Sequence, residues 1–251
     1  MDPKDQKEVE RIVAFYNQES TTYSSRRYEG ETDTYTKFFF RKRLDIIISY
    51  IKNYIVSLES PSILDVGCAD GIVIKKIEGK FPGKFKKIVG IDISPEMINE
   101  ARKRNNSENV SFYIRGEEPQ NHDFDAVMEV GFLYKPLFES EFSYAKSQLR
   151  TGGYFICSIP NKYSTQAMIK LRDKKYYEDY MSYRNYEKIL RQHFTIVKKV
   201  PCGLFIPKLW SFPVLARIIQ PIIDSLFIYI APELYHEKIY LLRKEGLSSK
   251  K

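Results

Sequence analysis

Ile63-Leu64-Asp65-Val66-Gly67-Cys68-Ala69-Asp70-Gly71 reads as a buried β-strand that runs into a glycine-rich turn, and the turn opens a helix. Val89-Gly90-Ile91-Asp92-Ile93-Ser94 then reads as a second strand that ends on an acid. Glycine at 67 and 71 lets the backbone turn sharply and lets a ligand approach without meeting a Cβ. Unpaired N–H groups at the start of the helix after Gly71 favour a polar or anionic ligand group. Asp92 lies 21 residues beyond Gly71, about where a dinucleotide-type site places a ribose-binding carboxylate. Together these features imply a nucleoside-containing ligand.

Details of the turn narrow the choice. A dinucleotide fingerprint would be G-x-G-x-x-G, and a phosphate loop would carry Lys-Ser or Lys-Thr after its last glycine. Here the spacing is G-x-A-x-G and Gly71 is followed by Ile72-Val73. At this point the sequence resembles the class I S-adenosylmethionine-dependent methyltransferases. The matches are Asp65-x-Gly67-x-x-x-Gly71, Gly90-x-Asp92-x-Ser94, Gly116-Glu117, Phe124-Asp125-Ala126-Val127 and Leu149-x-x-Gly152-Gly153, in order, within residues 61–160.

The resemblance implies an α/β, Rossmann-like, doubly wound fold. Its sheet would be mostly parallel and seven-stranded with a reversed last strand, joined by an N-terminal helical lid and a helical insertion. The cofactor implied is S-adenosyl-L-methionine, released as S-adenosyl-L-homocysteine. Asp65, with Gly67, Cys68 and Gly71, would border its methionine part, although Asp65 could equally cap amides of its own turn. Asp92, with Ile93 beside it, would take the ribose hydroxyls in charge-assisted bonds. Its rival role is a helix cap, which Ser94 already offers. Met97 would face adenine or pack in the core. Gly116-Glu117 would meet the adenine amino group, with Glu118 as a substitute and a solvated charge as the rival reading. Glu129 and Val130 end the fourth strand, on the edge where open α/β sheets bind ligands. Tyr23 and Tyr28 would belong to a lid over the cofactor, or to ordinary helix packing.

Composition bounds the remaining readings. The chain has 251 residues, enough for one α/β domain with additions. Cys68, Cys157 and Cys202 lack CxxC spacing, and His122, His193 and His236 are scattered, so no metal site is expected. The charged start Met1-Asp2-Pro3-Lys4 has no apolar segment after it, so a cytoplasmic protein is expected. The net charge of +8 suits a solvated basic surface, nucleic acid or an anionic membrane. No Asn-Pro-Pro-Tyr run follows the fourth strand, which argues against methylation of base amines.

Organisation follows from periodicity. Residues 1–60 are predicted as an N-terminal helical lid and 61–160 as the cofactor-binding core. Residues 161–187 form a tyrosine-rich insertion, expected as an acceptor cap (Tyr163, Tyr176, Tyr177, Tyr180, Tyr183, Tyr186). Residues 188–245 complete the sheet around an apolar helix at 209–231, and 246–251 form a tail. Arg217, Gln220 and Asp224 place one narrow polar stripe on that helix. Packing against the core or in a homodimer is expected, with peripheral membrane contact or a lipid channel as the alternative.

The expected reaction is methyl transfer to a small-molecule, saccharide or lipid-like acceptor at oxygen. Glu129, Tyr134 and His236 are the candidate catalytic groups. An RNA methyltransferase, or a non-catalytic cofactor-binding partner protein, is the alternative.

Overall fold

The computed structural model describes residues 3–30, 33–119, 123–131, 138–169 and 180–246. Seven strands form one sheet: β1 (Ser62–Val66), β2 (Lys87–Asp92), β3 (Val110–Ile114), β4 (Phe124–Glu129), β5 (Leu149–Pro160), β6 (Thr195–Cys202) and β7 (Glu237–Arg243). Their spatial order is β3-β2-β1-β4-β5-β7-β6. The first five strands pair in parallel, and β7 runs antiparallel to both β5 and β6. This is the doubly wound, mostly parallel sheet with a reversed last strand that the motifs imply. The order reverses direction at β1 and β4, which makes the C-terminal ends of these two strands the switch point where such sheets bind ligands.

Helices cover both faces. The N-terminal region supplies α1 (Pro3–Glu19), α2 (Tyr23–Arg27) and α3 (Tyr35–Tyr50), the last continued by a π-helical turn at Ile51–Ile55. The expected lid of residues 1–60 is therefore divided. Phe39, Ile47, Tyr50, Ile51 and Ile55 are buried against the sheet, so α3 is a core helix and only the chain before it lies over the turn. Beyond β1 come α4 (Ile72–Lys80) and α5 (Pro95–Arg104). Helix α5 starts where its sequence says: the Ser94 hydroxyl accepts the Met97 N–H at 3.1 Å, and Pro95 occupies the first turn.

On the opposite face, α6 (Phe138–Gln148) and α8 (Tyr183–His193) bury Phe138, Phe142, Ala145, Tyr186 and Leu190 against β1, β4, β5 and β7. The short α7 (Thr165–Met168) follows β5 in the chain, and its Gln166 donates to the Tyr35 hydroxyl of α3 at 2.9 Å. Tyr183 and Tyr186 are thus core residues rather than parts of an acceptor cap. The Tyr183 hydroxyl donates to the Tyr235 carbonyl at 3.0 Å. Tyr163 is half exposed, and Tyr176 and Tyr177 lie outside the described residues, as does most of the tail.

The apolar helix α9 (Pro213–Ile230), preceded by a 3-10 turn at Leu209–Ser211, is turned the opposite way from the core-packing expectation. Its buried residues are Ala216, Gln220 and Asp224; Val214, Leu215, Ile218, Ile222, Leu226 and Ile230 face outward, and Ile219, Ile223 and Ile228 are half-buried at the flanks. Gln220 donates to the Leu204 carbonyl at 2.9 Å and to Asp224 at 3.0 Å, and Lys42 of α3 pairs with Asp224. The helix is therefore anchored to the domain through its polar stripe.

Candidate functional site

The glycine turn is built from the ends of two strands. Gly67 and Cys68 donate their N–H groups to the Ile91 carbonyl at 2.8 and 3.0 Å, which closes the turn onto β2. Gly67 and Gly71 have φ of +75° and +72°, the left-handed region that glycine enters without cost. At Gly71 an added Cβ would also lie 3.1 Å from both Ala101 Cβ and Phe112 Cζ, so the space there is tight as well. Ala69 has φ of +48° without being glycine. Its N–H is held at 2.9 Å by one carboxylate oxygen of Asp92, while the other oxygen accepts the Ser94 N–H at 2.9 Å. Asp92 thus serves the turn as well as any ligand. A carboxylate offers about four acceptor positions, so these backbone bonds leave room for a hydroxyl donor. Ile93, beside it, is partly exposed.

The first helical amide after the turn is not left open. Asp70 accepts the Ile72 N–H at 3.3 Å, so this carboxylate already meets the positive end of α4. Asp70 also receives the Ser24 hydroxyl of α2 and Arg104 Nη2 of α5 at 2.9 Å. Arg104 continues to Glu29 at 3.1 Å, and the Ser94 hydroxyl, the cap of α5, donates to Asn17 at 2.6 Å. Three separate polar contacts therefore hold residues 17–29 over the turn between β1 and α4.

Beneath that segment, Tyr23, Tyr28, Ile47, Asp65, Gly67, Cys68, Met128 and Val130 line a cavity of about 20 Å³. Tyr28 and Ile72 also line a separate open groove of about 650 Å³ between α3 and α4. The Arg27 guanidinium lies over the Tyr23 ring at 4.1 Å and is held by Glu19 at 2.7 Å. Burial, and next the charge of Asp92, push the Asp65 carboxyl up to about 8. Burial above all, with Asp92 and Asp65 nearby, also pushes the Cys68 thiol up, so it stays protonated. A buried carboxyl beside a small apolar cavity fits a cationic group, because pairing would relieve its own desolvation.

Glu129 is placed differently. It ends β4 on the sheet face packed by α6, opposite the face of Met128 and Val130. It is fully buried, and neither carboxyl oxygen has a hydrogen-bond partner among the described residues. Burial, then Glu141, push it up to about 8, with Arg115 opposing. Arg115 itself pairs with Glu141 at 2.8 Å and lies over the Tyr144 ring at 4.8 Å. Glu117 is exposed beside Gly116, whereas Glu118 accepts the Gly116 N–H at 2.5 Å and the Tyr144 hydroxyl at 2.8 Å. Met97 is wholly buried. His236 packs its ring against Phe39 at 5.7 Å. Tyr134 lies outside the described residues.

Sequence reasoning missed the buried ion pair Arg43–Glu237, 2.7 and 3.0 Å between its atoms. It joins α3 to the start of β7, and Arg43 sits so close to the turn after β4 that a Cβ on Gly131 would be 2.7 Å from its Nη1. The signal was present: Phe39, Arg43 and Ile47 follow one another at i, i+4 and i+8, which places a charge on an apolar stripe. Among the described residues there is no cluster of metal-ligating side chains.

A family model described as a methyltransferase domain matches residues 59–207. No curated protein sequence matches the chain. Solved structures share its fold. Magnesium protoporphyrin IX methyltransferase from Synechocystis PCC 6803, with bound S-adenosylhomocysteine, is 14% identical with a TM-score of 0.65, and the match covers 93% of this chain and 98% of that one. The N-methyltransferase NodS from Bradyrhizobium japonicum WM9, in complex with S-adenosylhomocysteine, is 14% identical with a TM-score of 0.62 and the same coverage. A geranyl diphosphate methyltransferase in complex with GPP and sinefungin is 12% identical with a TM-score of 0.62, covering 94% of this chain and 98% of that one.

Proposed function

Because this chain belongs to the methyltransferase-domain family and is an S-adenosylmethionine-dependent methyltransferase, we propose that its acceptor is a small lipid-like molecule methylated at oxygen. The observation that carries this reading is the mainly apolar lining of the cavity at the switch point, in which Asp65 is the acidic member. Tyr23, Tyr28, Ile47, Met128 and Val130 line the cavity, and Tyr35, Phe205 and Trp210 form an aromatic cluster between α3 and the approach to α9. Such walls suit an acceptor that gains from leaving water. The geranyl diphosphate enzyme illustrates, for another protein of this fold, an acceptor with an isoprenoid chain.

S-adenosylmethionine supplies a methyl group already activated on a sulfonium. The chain is left with binding, orientation and proton handling. In this reading Asp65 faces the cationic part of the cofactor, Asp92 takes the ribose hydroxyls with its remaining lone pairs, and the amides of Gly67 and Cys68 keep the turn in shape. Residues 17–29 form the lid. A cavity of about 20 Å³ is smaller than any cofactor, so this segment shifts outward to admit one. An oxygen acceptor must also lose a proton. Glu129 lies on the opposite face of the sheet from the cavity and is wholly buried, so it is not placed to take it.

The test is incubation with radiolabelled S-adenosylmethionine and fractionated cell extract. Label in the organic-solvent fraction, in a product whose mass fragments as a methyl ether or ester, is the expected result. Label confined to RNA or to an amine would overturn the reading.

A further inference from the structure

The outward face of α9 has no role in the site described so far. Ile218, Ile222 and Leu226, four residues apart, are 57–61% exposed. Ala216, Gln220 and Asp224 occupy the opposite face and are buried. The distribution is inverted for a soluble domain, where the polar stripe belongs in water and the apolar one in the core. An 18-residue helix is about 27 Å long, so the exposed ridge exceeds the scattered apolar surface of an ordinary monomer.

We infer that α9 is a monotopic membrane-docking helix, which lies in the plane of an anionic bilayer with its aliphatic ridge among the lipids. Three observations select a bilayer over other occupants. Charge is the first: the chain carries +8, which complements anionic lipid, whereas a second copy would bring the same +8. Arg217, 59% exposed, pairs with Asp33 at 2.6 Å, and the exposed Lys208 stands at the approach to the helix. The second is aromatic placement. Phe212, 66% exposed, precedes the helix and Tyr229, 86% exposed, closes it, while the half-buried Trp210 anchors the approach by donating its indole N–H to Gln220 at 3.3 Å. The third is attachment: Gln220 and Asp224 are bonded to Leu204 and Lys42, so the helix lies on the domain and does not span. Lys42 neighbours Arg43, which reaches the turn after β4, so docking would bring the methyl-transfer site to within one helix of the membrane surface.

The chain's single tryptophan provides a direct readout. The full chain is mixed with vesicles of phosphatidylcholine alone or with phosphatidylglycerol, and co-sedimentation is measured beside quenching of Trp210 by brominated phosphatidylcholine. The expected result is binding that requires phosphatidylglycerol, weakens with salt and quenches Trp210. The triple variant I218S/I222S/L226S should bind at least about tenfold more weakly while melting and binding S-adenosylhomocysteine as the parent does. No sedimentation and no quenching would overturn the inference. So would a wild-type dimer in sedimentation velocity that the triple variant abolishes, because that would assign the ridge to a second copy. Vesicle binding is scored without any acceptor, so failure of the lipid-like substrate reading leaves this result standing, and the reverse also holds.

Discussion

The carboxylate of Asp92 accepts the amide of Ala69 at 2.9 Å and keeps that residue at φ +48°, so the end of β2 holds the shape of the turn after β1. The acid expected to hold a ribose is therefore also a structural support. Asp92→Ala should lower S-adenosylhomocysteine affinity at least about tenfold, and should lower stability by about 1–3 kcal/mol through the amides left unpaired. Asp92→Asn retains one acceptor oxygen and should fall between the two. Calorimetric titration beside urea unfolding checks both parts. An alanine variant with parental stability would remove the structural role.

The two displaced carboxyls make stability depend on pH. Asp65 and Glu129 sit at about 8 in the folded chain, against about 4 when unfolded. The folded state therefore holds more protons between these values. The stability that these two groups contribute is fully present below about pH 4, declines as pH rises and is lost above about pH 8. Urea midpoints of the free protein should fall across that window, and Asp65→Asn or Glu129→Gln should each flatten the slope. A midpoint that rises over the same range would contradict the burial of these groups.

Cofactor binding should oppose part of that trend. If Asp65 faces the cationic part of S-adenosylmethionine, binding favours its ionised form, so affinity should increase as pH rises toward 8 with uptake of base by the complex. Titration in buffers of different ionisation enthalpy measures the released proton. Asp65→Asn should abolish the release.

In the proposed lid, Asn17 to Ser94, Ser24 to Asp70 and Glu29 to Arg104 are polar links that opening would break. Ser24→Ala with Asn17→Ala should speed amide exchange across residues 17–29 severalfold in the free protein. S-adenosylhomocysteine should slow exchange there in the parent chain. Protection confined to the turn and β2 would assign Tyr23 and Tyr28 to packing alone.

The pair Arg43–Glu237 tests the opposite regime, a buried contact that does not move. Removing one partner leaves an uncompensated charge, and Arg43→Met or Glu237→Gln should cost about 3–5 kcal/mol. Replacing both, as Arg43→Met with Glu237→Leu, should recover most of that loss. Chemical denaturation of the three variants gives the coupling directly.

The methyltransferase fold was legible because its signals are local. The strand Ile63–Val66, the glycines of the turn, the acid at 92 and the cap at Ser94 each act through the backbone within a few residues, so spacing alone reveals them. The orientation of α9 was not legible. Its periodicity shows that a polar and an apolar face exist, but whether the polar face turns inward depends on Lys42 and the Leu204 carbonyl. Lys42 lies 182 residues away in the sequence. Glu129 is a similar case. Its place at the end of β4 follows from the strand, yet its burial beside Glu141 and Arg115 comes from α6 and the end of β3 packing above it. Sequence by itself determined the core strands, their order and the shape of the glycine turn, because short-range hydrogen bonding and hydrophobic period specify them. Only the tertiary structure decided which faces are dry and which charges are buried, because desolvation depends on partners brought together from distant parts of the chain.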